Sequence, residues 1–235
     1  RVKSQLAASF NMKDLGNLHY FLEIKVMRIP EGILISQRHY VMSMLFRFGM
    51  MHCKSVSTPL DRNMKLHPEP GTVCDPKRFL QIVGSLIYLA ITQPDLSYPV
   101  RLISQFMLQP MVEHLQCAQR ILRYVNVTKD RALLYWTGVA QELVGYMDAG
   151  LAGNASDHRS TFRFAFSLGC ATIAWSSKKQ PIVALWRSKA EYRGAVVTTC
   201  EAIWLKLLLK DLQMEVSEPT DIYCDNLIYR ADSPS

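Results

Sequence analysis

The sequence predicts an α/β (α+β) protein in two parts, and the residue pattern changes between them. Residues 1–128 carry mostly helical spacing of apolar residues, with prolines between the helical segments. Residues 140–235 alternate apolar and polar residues as half-buried strands do, and one long helical pattern precedes the last strand pattern. Strands joined by a crossing helix form a mixed sheet, so we expect a mixed sheet with a crossover helix in the second part.

The first part is predicted to be a helical domain with a small two-stranded hairpin. The apolar spacing predicts strands over 18–27 and 32–36, joined by a turn that contains Pro30 and Gly32. Helices are predicted over 2–10, 37–49, 76–92, 95–108 and 111–127. Pro94 and Pro110 separate the last three helices, because proline disrupts a helix interior.

The second part is predicted to begin near residue 140, after a linker over 129–139. Strand patterns cover 132–136, 142–148, 160–169, 171–177 and 220–224, and a helix pattern covers 188–213. The predicted domains are therefore 1–128 and 140–235.

Charge is distributed unevenly between the two parts. The net charge is +7, and residues 1–135 contain 17 Lys and Arg against 9 Asp and Glu. Residues 136–235 contain 10 against 11, which leaves this part almost neutral. A basic part beside a part rich in acidic candidates indicates that one part holds a polyanion and the other acts on it; an ordinary basic surface is the alternative.

The six cysteines indicate a reducing compartment. They are at least 21 positions apart, which excludes a CxxC-type zinc site and argues against a compact disulfide framework. The longest apolar stretch, 82–91, is shorter than the ~20 residues of a membrane span, and no signal peptide is recognisable. We therefore expect no membrane association and no secretion.

Three carboxylates are candidates for a metal site. Asp148 ends an apolar strand pattern, Glu191 opens the long helix pattern, and Asp225 follows the last strand pattern. Two strand ends and a helix start can converge in a layered α/β fold, and clustered carboxylates raise one another's pKa unless a cation neutralises them. Oxygen ligands of this kind suit Mg²⁺ or Mn²⁺.

Each acid also has a structural explanation. Residues 188–191 read S-x-x-E, so Glu191 can close a capping box with Ser188. Asp148 can be a turn or cap residue, and Asp225 with Asn226 is a common turn pair. The joint placement of the three acids favours the functional interpretation.

Basic residues provide candidates for phosphate contacts. Arg120 and Arg123 are three residues apart on one predicted helix face. Lys129 follows that helix, and Lys178 and Lys179 lie between a strand and the long helix. Arg120 and Arg123, with Lys129 and Arg131 just beyond the helix, could line a track for a nucleic-acid backbone, and an exposed helix face is the alternative. Lys178 and Lys179 could contact phosphates, and a solvated loop is the alternative.

Several stretches together resemble the Pol polyprotein of copia-type retrotransposons, in order along almost the whole chain. These stretches are FNMKDLGNLHYFLEIKV, GILISQRHYV, VGSLIYLAITQPDLSY, SQFMLQP, RILRYVNVTKD, GYMDAGLAG, DHRST, WSSKKQPIVAL, AEYRGA and CDN. The resemblance implies that residues 1–128 are the end of a reverse transcriptase palm with its thumb and connection. It implies that residues 140–235 are the N-terminal part of an RNase H-like domain, truncated before its last helices and edge strand.

The resemblance also assigns roles. Asp148, Glu191 and Asp225 match the Asp, Glu and Asp of an RNase H metal site, which acts through Mg²⁺ or Mn²⁺ on the RNA strand of an RNA–DNA hybrid. The family's fourth acid is expected beyond Ser235, and its polymerase acids before residue 1. No two acidic residues are adjacent in this chain, so we expect no DNA polymerisation. The implied location is a cytoplasmic retroelement particle or the nucleus, and the rest of the polyprotein is an implied partner.

The chain departs from the family pattern at identifiable positions. Glu23 replaces a glycine in the family's LGIEV, and Phe162 and Arg163 replace the Ser-Gly of STSGY. The family's DADWAGD reads DAGLAGN in this chain. Three functions are therefore considered: a weak hybrid endonuclease, a catalytically inactive nucleic-acid-binding remnant, and a degenerate element product without activity.

Overall fold

The computed structural model describes residues 2–13, 15–61, 66, 71–150, 159–180, 183, 186–214, 216, 218–224 and 227–231. The described helices are α1 (Val2–Ser9), α2 (Arg38–Arg47), α3 (Pro76–Leu89), α4 (Ser97–Ser104), α5 (Val112–Thr128) and α6 (Arg187–Asp211), and a 3₁₀ turn (Pro94–Leu96) precedes α4.

The described strands form two sheets. They are β1 (Tyr20–Phe21), β2 (Ile24–Ile29), β3 (Gly32–Ser36), β4 (Leu133–Trp136), β5 (Leu143–Gly150), β6 (Thr161–Leu168), β7 (Ala171–Lys179), β8 (Thr220–Cys224) and β9 (Leu227–Ala231). The first sheet has the order β1-β2-β3-β4, and the second has the order β7-β6-β5-β8-β9. Helices and mixed sheets together confirm the predicted α/β class.

The first part has its own apolar core. Helices α2 to α5 pack around side chains with almost no solvent exposure, among them Phe79, Leu86, Leu96, Ile121 and Leu122. Helix α3 begins where Asp75 accepts hydrogen bonds from the backbone N–H groups of Lys77 and Arg78, with Pro76 in the first turn. The helices predicted from the apolar spacing therefore form, and their shared core holds them together.

The predicted strand over 18–27 is two strands and not one. The chain reverses between Phe21 and Ile24, which pair with each other, so β1 and β2 form a hairpin. The two turn residues are Leu22 and Glu23, with φ of 46° and 60°. Positive φ at both turn positions matches the right-handed twist of the strands, and neither residue type signals such a turn. The apolar pattern over 18–27 therefore predicts one continuous strand where the structure has a hairpin.

Replacing Glu23 by glycine is expected to stabilise the protein by about 0.5–1 kcal/mol, because a glycine adopts a positive φ without steric cost. The substitution removes an exposed hydrogen bond from Tyr20 Oη to Glu23 Oε2 and an exposed contact of His39 Nδ1 with the same oxygen at 3.4 Å, and the loss of these exposed contacts costs less than the relieved strain. Urea unfolding measures the change. Glu31→Gly is the matched control, since its φ is not positive, and it should destabilise; a fall in stability for Glu23→Gly would contradict the prediction.

The stretch 129–139, predicted as a linker, contains a strand of the first sheet. Strand β4 pairs antiparallel with β3, from Ile35 opposite Leu133 to Gly32 opposite Trp136. The Tyr135 hydroxyl also donates to the Thr172 carbonyl of β7, at 3.2 Å. This stretch therefore connects the two parts through hydrogen bonds and does not run as a free linker.

The second sheet contains one pair of parallel strands, β5 and β8, between antiparallel neighbours. Strands β7, β6 and β5 are antiparallel neighbours, and β8 joins β5 in parallel, with α6 as the crossover. One face of the sheet packs against α6 through Met147, Phe162, Phe166 and Ile222. Gly194 lets α6 approach closely, because a Cβ atom there would lie 3.1 Å from the Met147 methyl group.

Strand β9 lies outside the elements predicted from the sequence. It pairs antiparallel with β8, from Cys224 opposite Leu227 to Thr220 opposite Ala231. Residues 227–231 are too few to show a decisive alternation, and the neighbouring strand supplies the pairing that makes them extended. Within the described part of the chain, no helix is long and apolar enough to cross a membrane.

Candidate functional site

Asp148 lies on the sheet face that α6 does not cover. Successive strand residues point to opposite faces, and Met147 and Ala149 are buried beneath α6. Asp148 therefore shares the other face with Tyr146, whose ring stacks on that of Tyr223 with centroids 5.6 Å apart. This face is turned towards α4, the helix of the first part that packs nearest to it.

Arg163 is the cation next to Asp148. The two residues are direct partners in the β5–β6 register, and Arg163 Nη1 lies 4.0 Å from Asp148 Oδ2. The Arg163 guanidinium also lies 4.0 Å from the centroid of the Tyr98 ring, on α4. About half of each charged side chain is exposed, so the ion pair contributes little to stability, roughly 0.2–1 kcal/mol.

Glu191 lies on the helix that covers the opposite face. Helix α6 begins at Arg187 with Trp186 at the N-cap and without a side-chain cap, so Ser188 lies inside the helix and the capping-box alternative for Glu191 does not apply. Glu191 is half-buried and precedes Ala195 by four residues, on the stripe of α6 that faces the sheet. The fold thus brings Asp148 and Glu191 towards the same end of β5, one on each side of the sheet.

Asp225 lies outside the described residues, as do Leu151 and Asn154 of the DAGLAGN stretch. Among the residues that the structure describes, no group of three or more His, Cys, Asp or Glu could hold a metal ion. Three carboxylates have the hard oxygen donors that Mg²⁺ and Mn²⁺ require. The donor chemistry fits such an ion, whereas the arginine beside Asp148 opposes it.

The two arginines on α5 differ in what surrounds them. Arg120 donates to the Thr58 hydroxyl at 3.1 Å, and its Nη1 lies 3.6 Å from Asp61 Oδ2. Its side chain is only 21% exposed, so Arg120 fastens the loop after α2 to α5 more than it faces solvent. Arg123 is half-buried on the same helix.

The three lysines do not share one surface. Lys178 and Lys179 are successive residues of β7 and therefore point to opposite faces of the sheet. Lys179 donates to the Gln105 side chain at 2.9 Å, next to α4, whereas Lys178 lies over the Phe164 ring on the α6 side. Lys129 donates to Asn126 at 3.4 Å, at the end of α5.

Ser177 and Tyr98 are two further polar residues near Asp148 that the sequence pattern does not single out. Ser177 pairs with Arg163 in the β6–β7 register, and its side chain is 7% exposed. Its hydroxyl has no hydrogen-bond partner in the described structure. Together with Tyr98 it lines a cavity of about 300 Å³ that also contains Asp148 and Arg163. The one sequence signal for this cavity was Arg163, which stands where the resemblance implies the glycine of the Ser-Gly pattern.

The chain is similar to known retroelement proteins. The family described as reverse transcriptase (RNA-dependent DNA polymerase) matches residues 1–62. The Pol polyprotein from transposon RE1 of Arabidopsis thaliana is 43% identical over 94% of the chain, which spans 15% of that polyprotein. The Pol polyprotein from transposon TNT 1-94 of Nicotiana tabacum is 36% identical over 96% of the chain, which spans 18% of its length.

A shorter relative is covered almost completely. An uncharacterised mitochondrial protein of Arabidopsis thaliana is 38% identical over 85% of the chain and 83% of its own length. No solved structure matches the chain. These matches identify the class as a reverse transcriptase-family segment of a retroelement polyprotein. The chain belongs to the Pol polyprotein family of copia-type retrotransposons.

Proposed function

We propose that this Pol segment binds nucleic acid and that its second sheet carries an RNase H-like site for the RNA strand of an RNA–DNA hybrid. The observation that supports this most is the β5–α6–β8 unit, in which parallel strands are joined by a crossover helix. Asp148 lies near the end of β5, Glu191 near the start of α6, and Asp225 follows the last residue of β8 in sequence. The carboxyl ends of parallel strands meet at one edge of a sheet, where such sites occur.

The roles of the residues follow from their chemistry. Asp148, Glu191 and Asp225 would hold Mg²⁺ or Mn²⁺ beyond the end of β5, where side chains from the two sides of the sheet can meet, and the ion when bound would supply an activated water for attack on a phosphodiester. The hybrid would be recognised by its shape and its 2′-hydroxyl groups. Arg123, Lys129, Lys178 and Lys179 would contact phosphates, with Lys178 and Lys179 serving opposite faces of the sheet. The rest of the polyprotein is the proposed partner.

Cleavage of a labelled RNA–DNA hybrid by the purified chain in Mg²⁺ and in Mn²⁺ tests this proposal. We expect slow metal-dependent cleavage that Asp148→Asn lowers by about a hundredfold or more. Asp211→Asn is the matched control, because Asp211 is exposed at the far end of α6. Hybrid binding should weaken steeply with salt, since it releases counterions from phosphates. A folded chain that binds hybrid and shows no Asp148-dependent cleavage would contradict the nuclease proposal.

The second candidate is a nucleic-acid-binding segment without catalysis. It is favoured by the position of Arg163, which supplies Asp148 with a cation from within the chain. In that case the basic first part holds the hybrid, and the Asp148→Asn substitution changes neither binding nor cleavage. The cleavage and binding measurements above separate the two candidates directly.

A further inference from the structure

We propose that Arg163 competes with the divalent cation for the Asp148 carboxylate and thereby keeps this site in a low-affinity state. This inference rests on the proposed function, because it presumes that Asp148 is a metal ligand. It concerns Arg163, at a position where the resemblance implies a glycine.

The cross-strand geometry is the first argument. Directly opposed residues of an antiparallel pair have neighbouring side chains, and Asp148 and Arg163 are opposed in the β5–β6 register. Both point to the face away from α6, where Arg163 Nη1 lies 4.0 Å from Asp148 Oδ2. The guanidinium therefore lies beside this carboxylate on that face of the sheet.

The surroundings of Arg163 hold the guanidinium in that place. The Tyr98 ring lies 4.0 Å from the guanidinium carbon and attracts it through its negative face. Both residues line the cavity of about 300 Å³ that contains Asp148. The buried Ser177 hydroxyl, next to Arg163 on β7, lines the same cavity and has no partner in the described structure. It would be a second hydrogen-bonding group for a ligand that displaces the arginine.

The consequence is a competition between two cations. An Mg²⁺ or Mn²⁺ ion needs lone pairs of the Asp148 carboxylate, which the arginine attracts, and it is also repelled by the positive guanidinium. Metal binding at Asp148 therefore requires Arg163 to move away from the carboxylate. Removal of the positive charge at position 163 should raise the affinity of the site for a divalent cation.

Titration of the full chain with Mn²⁺, followed by electron paramagnetic resonance of the free ion, tests the inference without reference to cleavage. We expect Arg163→Gln to bind Mn²⁺ roughly tenfold more tightly than the unsubstituted chain. The gain should disappear in the Arg163→Gln, Asp148→Asn double variant. Lys210→Gln is the matched control for net charge, since Lys210 is exposed near the end of α6, and it should leave the affinity unchanged.

The outcomes separate the inference from the function on which it rests. If Asp148→Asn weakens Mn²⁺ binding and Arg163→Gln does not strengthen it, the site exists and the competition is refuted. If Arg163→Gln and Lys210→Gln raise the affinity equally, the effect is one of general charge and the inference is again overturned. If no binding depends on Asp148 in either background, the proposed metal site itself is refuted. Circular dichroism of each variant verifies that it is folded.

Discussion

Replacing Gly32 by alanine is expected to lower the free energy of unfolding by about 3 kcal/mol, one of the larger effects of a single methyl group. A Cβ atom at position 32 would lie 2.0 Å from the carbonyl oxygen of Tyr135 and 3.0 Å from the Cα atom of Trp136. Both contacts are with backbone, which cannot rotate away as a side chain can. Strand β4 must therefore separate from β3, and the pairing that connects the two parts is lost.

Urea unfolding followed by circular dichroism measures this effect. Gly84→Ala is the matched control: it is the same substitution inside α3, where the new Cβ atom meets nothing within 4 Å. Alanine is favoured over glycine in a helix by roughly 1 kcal/mol, so this control should stabilise the protein. Equal effects of the two substitutions would contradict the close approach of β4 to β3.

Raising the pH above about 9 is expected to destabilise the protein by up to roughly 1.4 kcal/mol per pH unit through Cys117 alone. This thiol is fully buried in the core of the first part, and burial raises its pKa from 9.0 to about 12. In the unfolded chain the thiol ionises near its ordinary pKa, so between pH 9 and 12 the folded state binds more protons. Stability is therefore complete below pH 9 and falls as the pH rises towards 12.

Urea unfolding at pH 8 and pH 10.5 measures the loss. In Cys117→Ala the pH dependence should become shallower, while Tyr135, whose pKa burial also raises, contributes in the same direction in both proteins. Cys170→Ala is the control, because Cys170 is exposed and its removal should leave the slope unchanged. A slope that Cys117→Ala does not alter would show that this thiol ionises in the folded state.

The glycine positions show how a sequence departure acquires physical meaning. Glu23 occupies a family glycine position, and the structure gives it a φ of 60°, which glycine adopts without strain. Arg163 stands at a second position where the resemblance implies a glycine. The consequence there is electrostatic, because the arginine side chain reaches Asp148. The first departure affects the stability of a hairpin, and the second affects the chemistry of the candidate site.

Much of the secondary structure could be predicted from local patterns. Helices α3 and α5 carry continuous apolar faces, and Asp75 with Pro76 is a recognisable helix start. The hairpin at Leu22 and the strand β9 could not be predicted in this way, because their conformations depend on pairing partners. The capping-box alternative at Ser188 does not apply because the helix begins two residues earlier than that box requires, at Arg187, with Trp186 at its N-cap.

The sequence by itself determined the family, the α/β class and the three candidate acids, because order of motifs and apolar periodicity are properties of the chain. Only the tertiary structure decided which face of the sheet each side chain occupies. It placed Asp148 beside Arg163 and away from α6, and it placed Lys178 and Lys179 on opposite faces. The physical reason is that alternation along a strand determines which side chains share a face, whereas only the packing of α6 decides which of the two faces is covered.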